Sequence, residues 1–374
     1  MRRGWLFFFL LATSAFSREY YDLFPTPRSI AMGRAVTAYI DDWESLYTNP
    51  AGLALQEESK WRLPDLIQAG VSPSISKLYK KIKNLKKNGS TLRPVDFYSF
   101  DGTAASFSIE VPGFGYYGKR FAMALNFLAL RSSFRIRTPS LLFLKAAARV
   151  TQDTAFSLGF AQPFFDNHLR FGVAFRPVHI RSGMDRGMSN SSFLENQQLL
   201  SFDNPRSFFG MGWGSDLDIG TQWHGGPWGR FGFVPSLGAV YQNVLENDFD
   251  NRLQKNSLSG TVPPAQKRVN AGAAVSLHKI GRMRPTISVD YRDYLVKTDK
   301  KIEHLGIGME FYMRVTRWLH GALAGHFYKG NLGGGAYGHI GPGYIAFVTE
   351  AVNLGRGPGI GVDRRYYVRA SFEW

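Results

Sequence analysis

Tyr366-Tyr367-Val368-Arg369-Ala370-Ser371-Phe372-Glu373-Trp374 ends the chain in strict alternation. Tyr366, Val368, Ala370, Phe372 and Trp374 share one face of an extended strand, and Tyr367, Arg369, Ser371 and Glu373 share the other. One face is apolar and the other polar, which suits a wall between lipid and water. The period of two recurs upstream. Leu305, Ile307, Met309, Phe311 and Met313 oppose His304, Glu310, Tyr312 and Arg314; Leu217, Ile219 and Trp223 oppose Asp216, Asp218 and Gln222. Ile287, Val289 and Tyr291 oppose Ser288, Asp290 and Arg292, while Leu169, Phe171, Val173 and Phe175 oppose Arg170 and Arg176. A soluble sandwich would alternate in the same way, so the connections have to separate the two cases.

Strands are expected near 103–112, 119–130, 141–150, 153–163, 168–181, 210–224, 229–242, 267–279, 284–294, 302–314, 317–329, 332–339, 343–352 and 366–374. From residue 168 onward the long connections 182–209, 243–266, 295–301 and 353–365 fall on one side, with only 330–331 short among them. Turns near 225–228, 280–283, 315–316 and 340–342 fall on the other. Short periplasmic turns and longer extracellular loops mark an outer-membrane barrel, and an even total of about 14 strands returns both termini to the periplasm. Residues 131–140 are hard to assign, and 66–73 is read either as an additional early strand or as linker.

The other end of the chain agrees with export. Arg2 and Arg3 precede an apolar run from Trp5 to Ala12, and Ala15 and Ser17 offer small residues for cleavage, so residues 1–17 read as a signal peptide. That run is too short for a transmembrane helix, which needs about 20 apolar residues, and no second one appears. With no cysteine the chain has neither a disulfide nor a lipid anchor on sulfur. The expected location is the outer membrane of a Gram-negative cell, with lipid and the barrel-insertion machinery as partners.

Two pieces stand out before the barrel: Ser29-Ile30-Ala31-Met32-Gly33-Arg34-Ala35 and Tyr47-Thr48-Asn49-Pro50-Ala51-Gly52-Leu53-Ala54. Met32, Gly33, Ala35, Thr37, Ala38, Asp41, Asp42, Tyr47, Asn49, Pro50, Ala51, Gly52 and Leu53 follow an order that resembles the N-terminal region of the long-chain fatty-acid transporter (FadL) superfamily. The runs Gly-Trp-Gly-Ser-Asp-Leu-Asp at 212–218 and Val-Tyr-Gln-Asn-Val at 240–244 look like middle strands of its PorV-like branch. The resemblance implies an all-β, antiparallel transmembrane barrel of 14 strands whose N-terminal segment, residues 18–65, folds into the lumen as a plug. Residues 66–100 then form the early strand or linker, and 101–374 the barrel. The chain departs from the pattern at Arg34, where a small residue is expected, so the resemblance does not carry a tight turn there.

Pro50 fixes φ and Gly52 permits a turn closed to other residues, so Asn49 to Gly52 is a compact turn. Functionally, Asp41, Asp42 and Asn49 are expected to latch the plug to inward wall residues such as Arg292, Arg314 or Arg369; the bland alternative is a solvated turn. Asp216, Asp218, Asp290 and Glu310 join those arginines as polar lumen lining. Phe372 and Trp374 match the aromatic ending that the insertion machinery accepts, and also suit an interfacial girdle.

The formal charge is +16, and loss of Arg2 and Arg3 leaves 16 − 2 = +14. Much of it lies in residues 75–87, where Ile75, Leu78, Tyr79, Ile82 and Leu85 recur at helical spacing against Lys77, Lys80, Lys81, Lys83, Lys86 and Lys87. This basic amphipathic helix is expected on the periplasmic side, either on anionic lipid headgroups or packed on the plug. Nucleic acid fits an exported barrel poorly.

Nothing in the chain spells out a reaction. The eight His residues are scattered without His-Glu-x-x-His, so neither a metal nor another cofactor is expected, and no Gly-x-Ser-x-Gly elbow occurs. Two functions remain. One is passive uptake of a hydrophobic small molecule such as a long-chain fatty acid; the other is a structural or secretion-associated barrel that docks exported proteins.

Overall fold

The computed structural model describes residues 24–372 apart from 57–58, 63–66, 88–103, 112, 141–142, 189–209, 230–231, 247–248, 250–261, 263–264, 278–281, 296–303, 317 and 353–362. The expected signal peptide, Glu373 and Trp374 lie outside the described residues. Among those described, no helix is long and apolar enough to cross a membrane.

The strands are β1 (Lys60–Arg62), β2 (Ile67–Val71), β3 (Ala104–Val111), β4 (Gly115–Gly118), β5 (Phe121–Ser140), β6 (Phe143–Phe164), β7 (Leu169–Met188) and β8 (Gly210–His224). They continue with β9 (Phe233–Gln242), β10 (Arg268–Leu277), β11 (Met283–Tyr291), β12 (Leu305–Arg314), β13 (Leu319–Tyr328), β14 (Asn331–Ile340), β15 (Gly343–Val352) and β16 (Asp363–Phe372). All pair antiparallel in one sheet, and the sheet closes because β2 meets β16, with Val71 opposite Tyr366 and Ile67 opposite Ala370. β3 and β4 are two pieces of a single stave, since Val111↔Leu128 and Gly115↔Ala124 keep one register on β5. β1 and β2 pair with those same two pieces and form another, so the wall has 16 − 2 = 14 staves.

The number agrees with the sequence reading through two differences that cancel. The expected strands 141–150 and 153–163 are one 22-residue strand, β6, and residues 131–140 complete β5. About 9–11 residues cross a bilayer, so these strands project beyond it, and their outer halves are not bound to show an apolar lipid face. The missing stave is supplied by β2, so the wall begins well before residue 101.

That extra crossing also moves the basic helix. β2 runs away from the end that carries Phe372, so α2 (Ser74–Lys87; α1 is introduced below) joins the connections 189–209, 243–267, 292–304 and 353–362 on the long-loop end. The opposite end holds the turns 119–120, 165–168, 225–232, 278–282, 315–318 and 341–342. The helix is therefore on the extracellular rim and not on the periplasmic side, because long loops face outward.

Alternation follows the sequence. Ile307, Met309, Phe311 and Met313 of β12 and Tyr366, Val368 and Phe372 of β16 are exposed on the lipid face, while Glu310, Tyr367 and Arg369 are buried inside. One side of the wall is irregular: β5 carries an extra residue against β6 between Asn126 and Ala129, and β7 carries one against both neighbours around Pro177. Proline has no N–H for a ladder, so a bulge is where a strand tolerates it.

Candidate functional site: a plug and its seat

Residues 24–55 are enclosed by the wall. Thr26 and Ser29 form a reciprocal capping box around Pro27, each backbone N–H donating to the other hydroxyl at 3.2 Å, and this starts the short helix α1 (Pro27–Ala31). Two tight 3-10 turns follow, Trp43–Leu46 capped by Asp42 and Pro50–Leu55 capped by Asn49. The Arg34 turn is tight after all. Arg34 takes φ 62° beside Gly33 at 59°, donates its N–H to the Ser29 carbonyl at 2.6 Å, and pairs with Glu350 of β15 at 3.2 Å. The ion pair holds a bulky residue in a conformation that usually selects glycine.

Arg28 is the hub. Its Nε donates to Glu310 of β12 at 2.9 Å, and its Nη1 donates to Asp41 at 2.8 Å and Asp42 at 2.9 Å. Tyr337 of β14 donates its hydroxyl to the same Glu310. Asp41 and Asp42 thus meet a partner other than those expected: they reach an arginine of their own segment, and that arginine bonds Glu310 of the wall. Of the wall arginines, Arg284 approaches Asp41, at 3.5 Å. Arg292 instead donates to the Arg34 carbonyl at 2.8 Å, Arg369 lies 4.8 Å over the Trp43 ring, and Arg314 is exposed at the turn end of β12.

Charge in this knot is uneven. Burial raises the Asp41 carboxyl, but Arg28 and Arg284 outweigh it and hold it below the usual aspartate range. Burial pushes Asp42 up to about 6 against the pull of Arg28, with the Asp41 charge adding to the rise. Burial also drives Glu44 well above its ordinary value, helped by Asp42.

The middle of the segment is held through its backbone. Asp290 accepts from the Thr37 N–H at 3.0 Å, and Ser288 donates to the Ala35 carbonyl at 2.5 Å. Asn49 Nδ2 donates to Thr37 at 2.8 Å and to the wall carbonyls of Thr221 at 3.1 Å and Ala239 at 3.4 Å, while Gln222 reaches the Thr37 and Ile40 carbonyls. Close approach needs wall positions without side chains. A Cβ at Gly220 would strike Asn49 Oδ1, and one at Gly172 would strike the Pro50 backbone. Met32 and Gly33 lie likewise against Gly308 and Gly306, and His326 donates to the Ala31 carbonyl at 3.0 Å. On the side of β4, β5 and β6 the contact is mainly apolar: Phe24, Leu46, Tyr47 and Leu53 meet Tyr117 and small wall residues such as Ala122 and Ala155, with Trp43 against them, and Asn126 of β5 donates its Nδ2 to the Tyr47 hydroxyl at 2.6 Å.

Asp216 and Asp218 line the lumen but do not touch this segment. Arg176 donates to both oxygens of Asp218 at 2.8 Å, and His179 bridges Asp216 at 2.6 Å and Asp153 at 2.9 Å. Strand parity hid His179, since residues 176 and 179 belong on opposite faces. The bulge at Pro177 turns both inward, and that proline was the signal. Arg28 gave no comparable signal, since its role depends on contacts across the lumen. Among the described residues no group of three or more His, Asp or Glu is placed to hold a metal.

Lys77, Lys80 and Lys83 of α2 are exposed; the side chains of Lys81, Lys86 and Lys87 lie outside the described residues. Phe372 is exposed on the lipid face.

No family model matches the chain, and no curated protein is significantly similar to it. Solved structures are. The chain aligns over 93% of its length with 97% of the Ralstonia pickettii toluene transporter TbuX, at 13% identity and TM-score 0.50. A Pseudomonas aeruginosa FadL homologue aligns over 93% of this chain and 98% of its own, at 9% identity and TM-score 0.34. The CymD monoaromatic hydrocarbon channel aligns over 95% and 98%, at 9% identity and TM-score 0.35. The chain therefore shares the fold of the toluene transporter, and in this chain that fold is a closed antiparallel barrel with residues 24–55 enclosed by the wall.

Proposed function

We propose that the protein admits a hydrophobic small molecule, such as a long-chain fatty acid, passively across the outer membrane. The observation that carries this reading is the arrangement of the plug. Polar bonds tie it densely to β8, β9, β11, β12 and β15, while a mainly apolar, aromatic contact of Phe24, Trp43, Leu46, Tyr47 and Leu53, crossed by the Asn126–Tyr47 hydrogen bond, faces β4 to β6 beside the bulge of β5. A greasy solute would follow that side, because displacing apolar contacts costs it least. The likeness to a toluene transporter supports the same class of solute.

Lipid extraction of the purified protein, followed by uptake of a labelled long-chain fatty acid into proteoliposomes, tests this. A co-purifying fatty acid and uptake above that of empty vesicles are expected; neither being seen would overturn the proposal. The close filling of the lumen, with Ile30, Met32, Asn49 and Leu53 fully buried, favours a second reading, a PorV-like barrel whose extracellular loops dock exported proteins. An exported protein co-purifying in place of a lipid would select it.

A further inference from the structure

The rim helix α2 is joined to the wall by hydrogen bonds at its start. Ser72 N–H donates to the Ser106 carbonyl at 3.0 Å, which continues the β2 and β3 ladder past Val71, and the Ser72 hydroxyl accepts from the Ser74 N–H at 3.2 Å. Pro73 then starts the helix, and Ser76 donates back to its carbonyl at 2.8 Å. The helix so anchored holds six lysines and no acidic residue. Lys77, Lys80 and Lys83 are exposed and recur every three residues, so they crowd one face and repel one another. No carboxylate of the helix offsets that repulsion, so the exposed face attracts anions from outside.

Just below it the wall is apolar on its lipid face. Val71, Ile109, Tyr366 and Val368 are all exposed outward. Arg364, exposed on β16 two residues above Tyr366, extends the basic edge and donates to Thr349 and to the Leu332 carbonyl. A molecule that fits both levels has acyl chains beneath and phosphate above. Because the long-loop end faces outward, the leaflet at this height is the outer one, whose lipid carries its phosphates on a sugar backbone.

We infer that α2 is a docking site for the phosphorylated glycolipid of the outer leaflet, its lysines meeting the sugar phosphates while the acyl chains lie on Val71, Ile109 and Val368. Phospholipid on the opposite leaflet is out of its reach. The site is independent of what the lumen carries.

Native mass spectrometry of the full-length folded barrel, titrated with bisphosphorylated lipid A, its dephosphorylated counterpart or phosphatidylglycerol, tests this. The wild type should retain bisphosphorylated lipid A in preference to the other two. Each lysine near an anionic surface is worth about 1 kcal/mol, or roughly fivefold in affinity, so Lys77→Gln with Lys80→Gln and Lys83→Gln should weaken retention at least about tenfold. Arginine at the same three positions should preserve it. Equal retention of the three lipids, or retention unchanged by the glutamines, would overturn the site. Should the glutamine protein fail to insert, acetylation rates of the three lysines in wild-type proteoliposomes decide the matter. Protection by bisphosphorylated lipid A and not by phosphatidylglycerol is expected, and equal rates would overturn it.

Discussion

Replacing Arg28 with Met removes one guanidinium and leaves three carboxylates behind. Asp41 and Asp42 keep 30% and 32% of their side chains exposed, so lumen water compensates much of their loss, on the order of 1 kcal/mol. Glu310 is different. Its side chain is 1% exposed, and among the described residues Tyr337 would still bond it. Stranding a buried charge costs about 3–5 kcal/mol, which lowers the ratio of seated to unseated plug by roughly two to three and a half decades at 1.4 kcal/mol each. The wall should not suffer, since its strands are joined by backbone bonds that Arg28 does not make. Arg28→Met is therefore expected to insert with normal heat-modifiable gel mobility, to conduct more in planar bilayers, and to expose a cysteine placed at Asp42 to a bulky thiol reagent. Adding Glu310→Gln should restore much of the seal, because removing both partners of a buried pair costs far less than removing one. Wild-type conductance in Arg28→Met, or no recovery in the double variant, would refute the assignment of Arg28 as the hub.

Three further outcomes follow from the same geometry. Gly220→Val places a side chain where Asn49 sits, so it should open the lumen as measured by solute exclusion while leaving the folded yield intact. Asp42, raised to about 6 in the folded protein, holds its proton more tightly there than in the unfolded chain; acidification through pH 6 should tighten the plug, and that gain is lost as pH rises above it. Conductance should therefore be lower at pH 5 than at pH 7.5, and Asp42→Asn should flatten the slope, leaving a remainder from Glu44, which is shifted the same way. Deleting Trp374 should reduce the amount of folded barrel in the outer membrane, read from gel mobility, if the aromatic end is an insertion signal.

The fold was legible wherever one rule governed a whole strand. Alternation held on β12 and β16 because lipid lies on one side and polar lining on the other along their length. It failed where that condition lapses. The outer parts of β5 and β6 run past the bilayer, and β2 is so short that 66–73 could be read as a strand only beside the alternative of a linker. Around Pro177 the two-residue period itself breaks, and the inward turn of His179 was lost with it. For the plug, Asp41, Asp42 and Asn49 were visible as a turn, but their partners were not. Arg28, Thr221 and Ala239 meet them through the lumen, and a one-dimensional pattern carries no distance across a closed wall.

The seam between β2 and β16 has a bearing on how the molecule is assembled. Its two strands stand near opposite ends of the chain, and β2 offers only five residues to the union. Bringing such distant segments together carries the entropy of a very long loop. Both flanks of the seam already rest on the inserted segment: Gln68 of β2 donates to the Pro25 carbonyl at 2.8 Å, and Arg369 of β16, its register partner, lies over Trp43. The enclosed segment thus stands behind the seam as a mandrel would, bonded to the first stave and packed against the last.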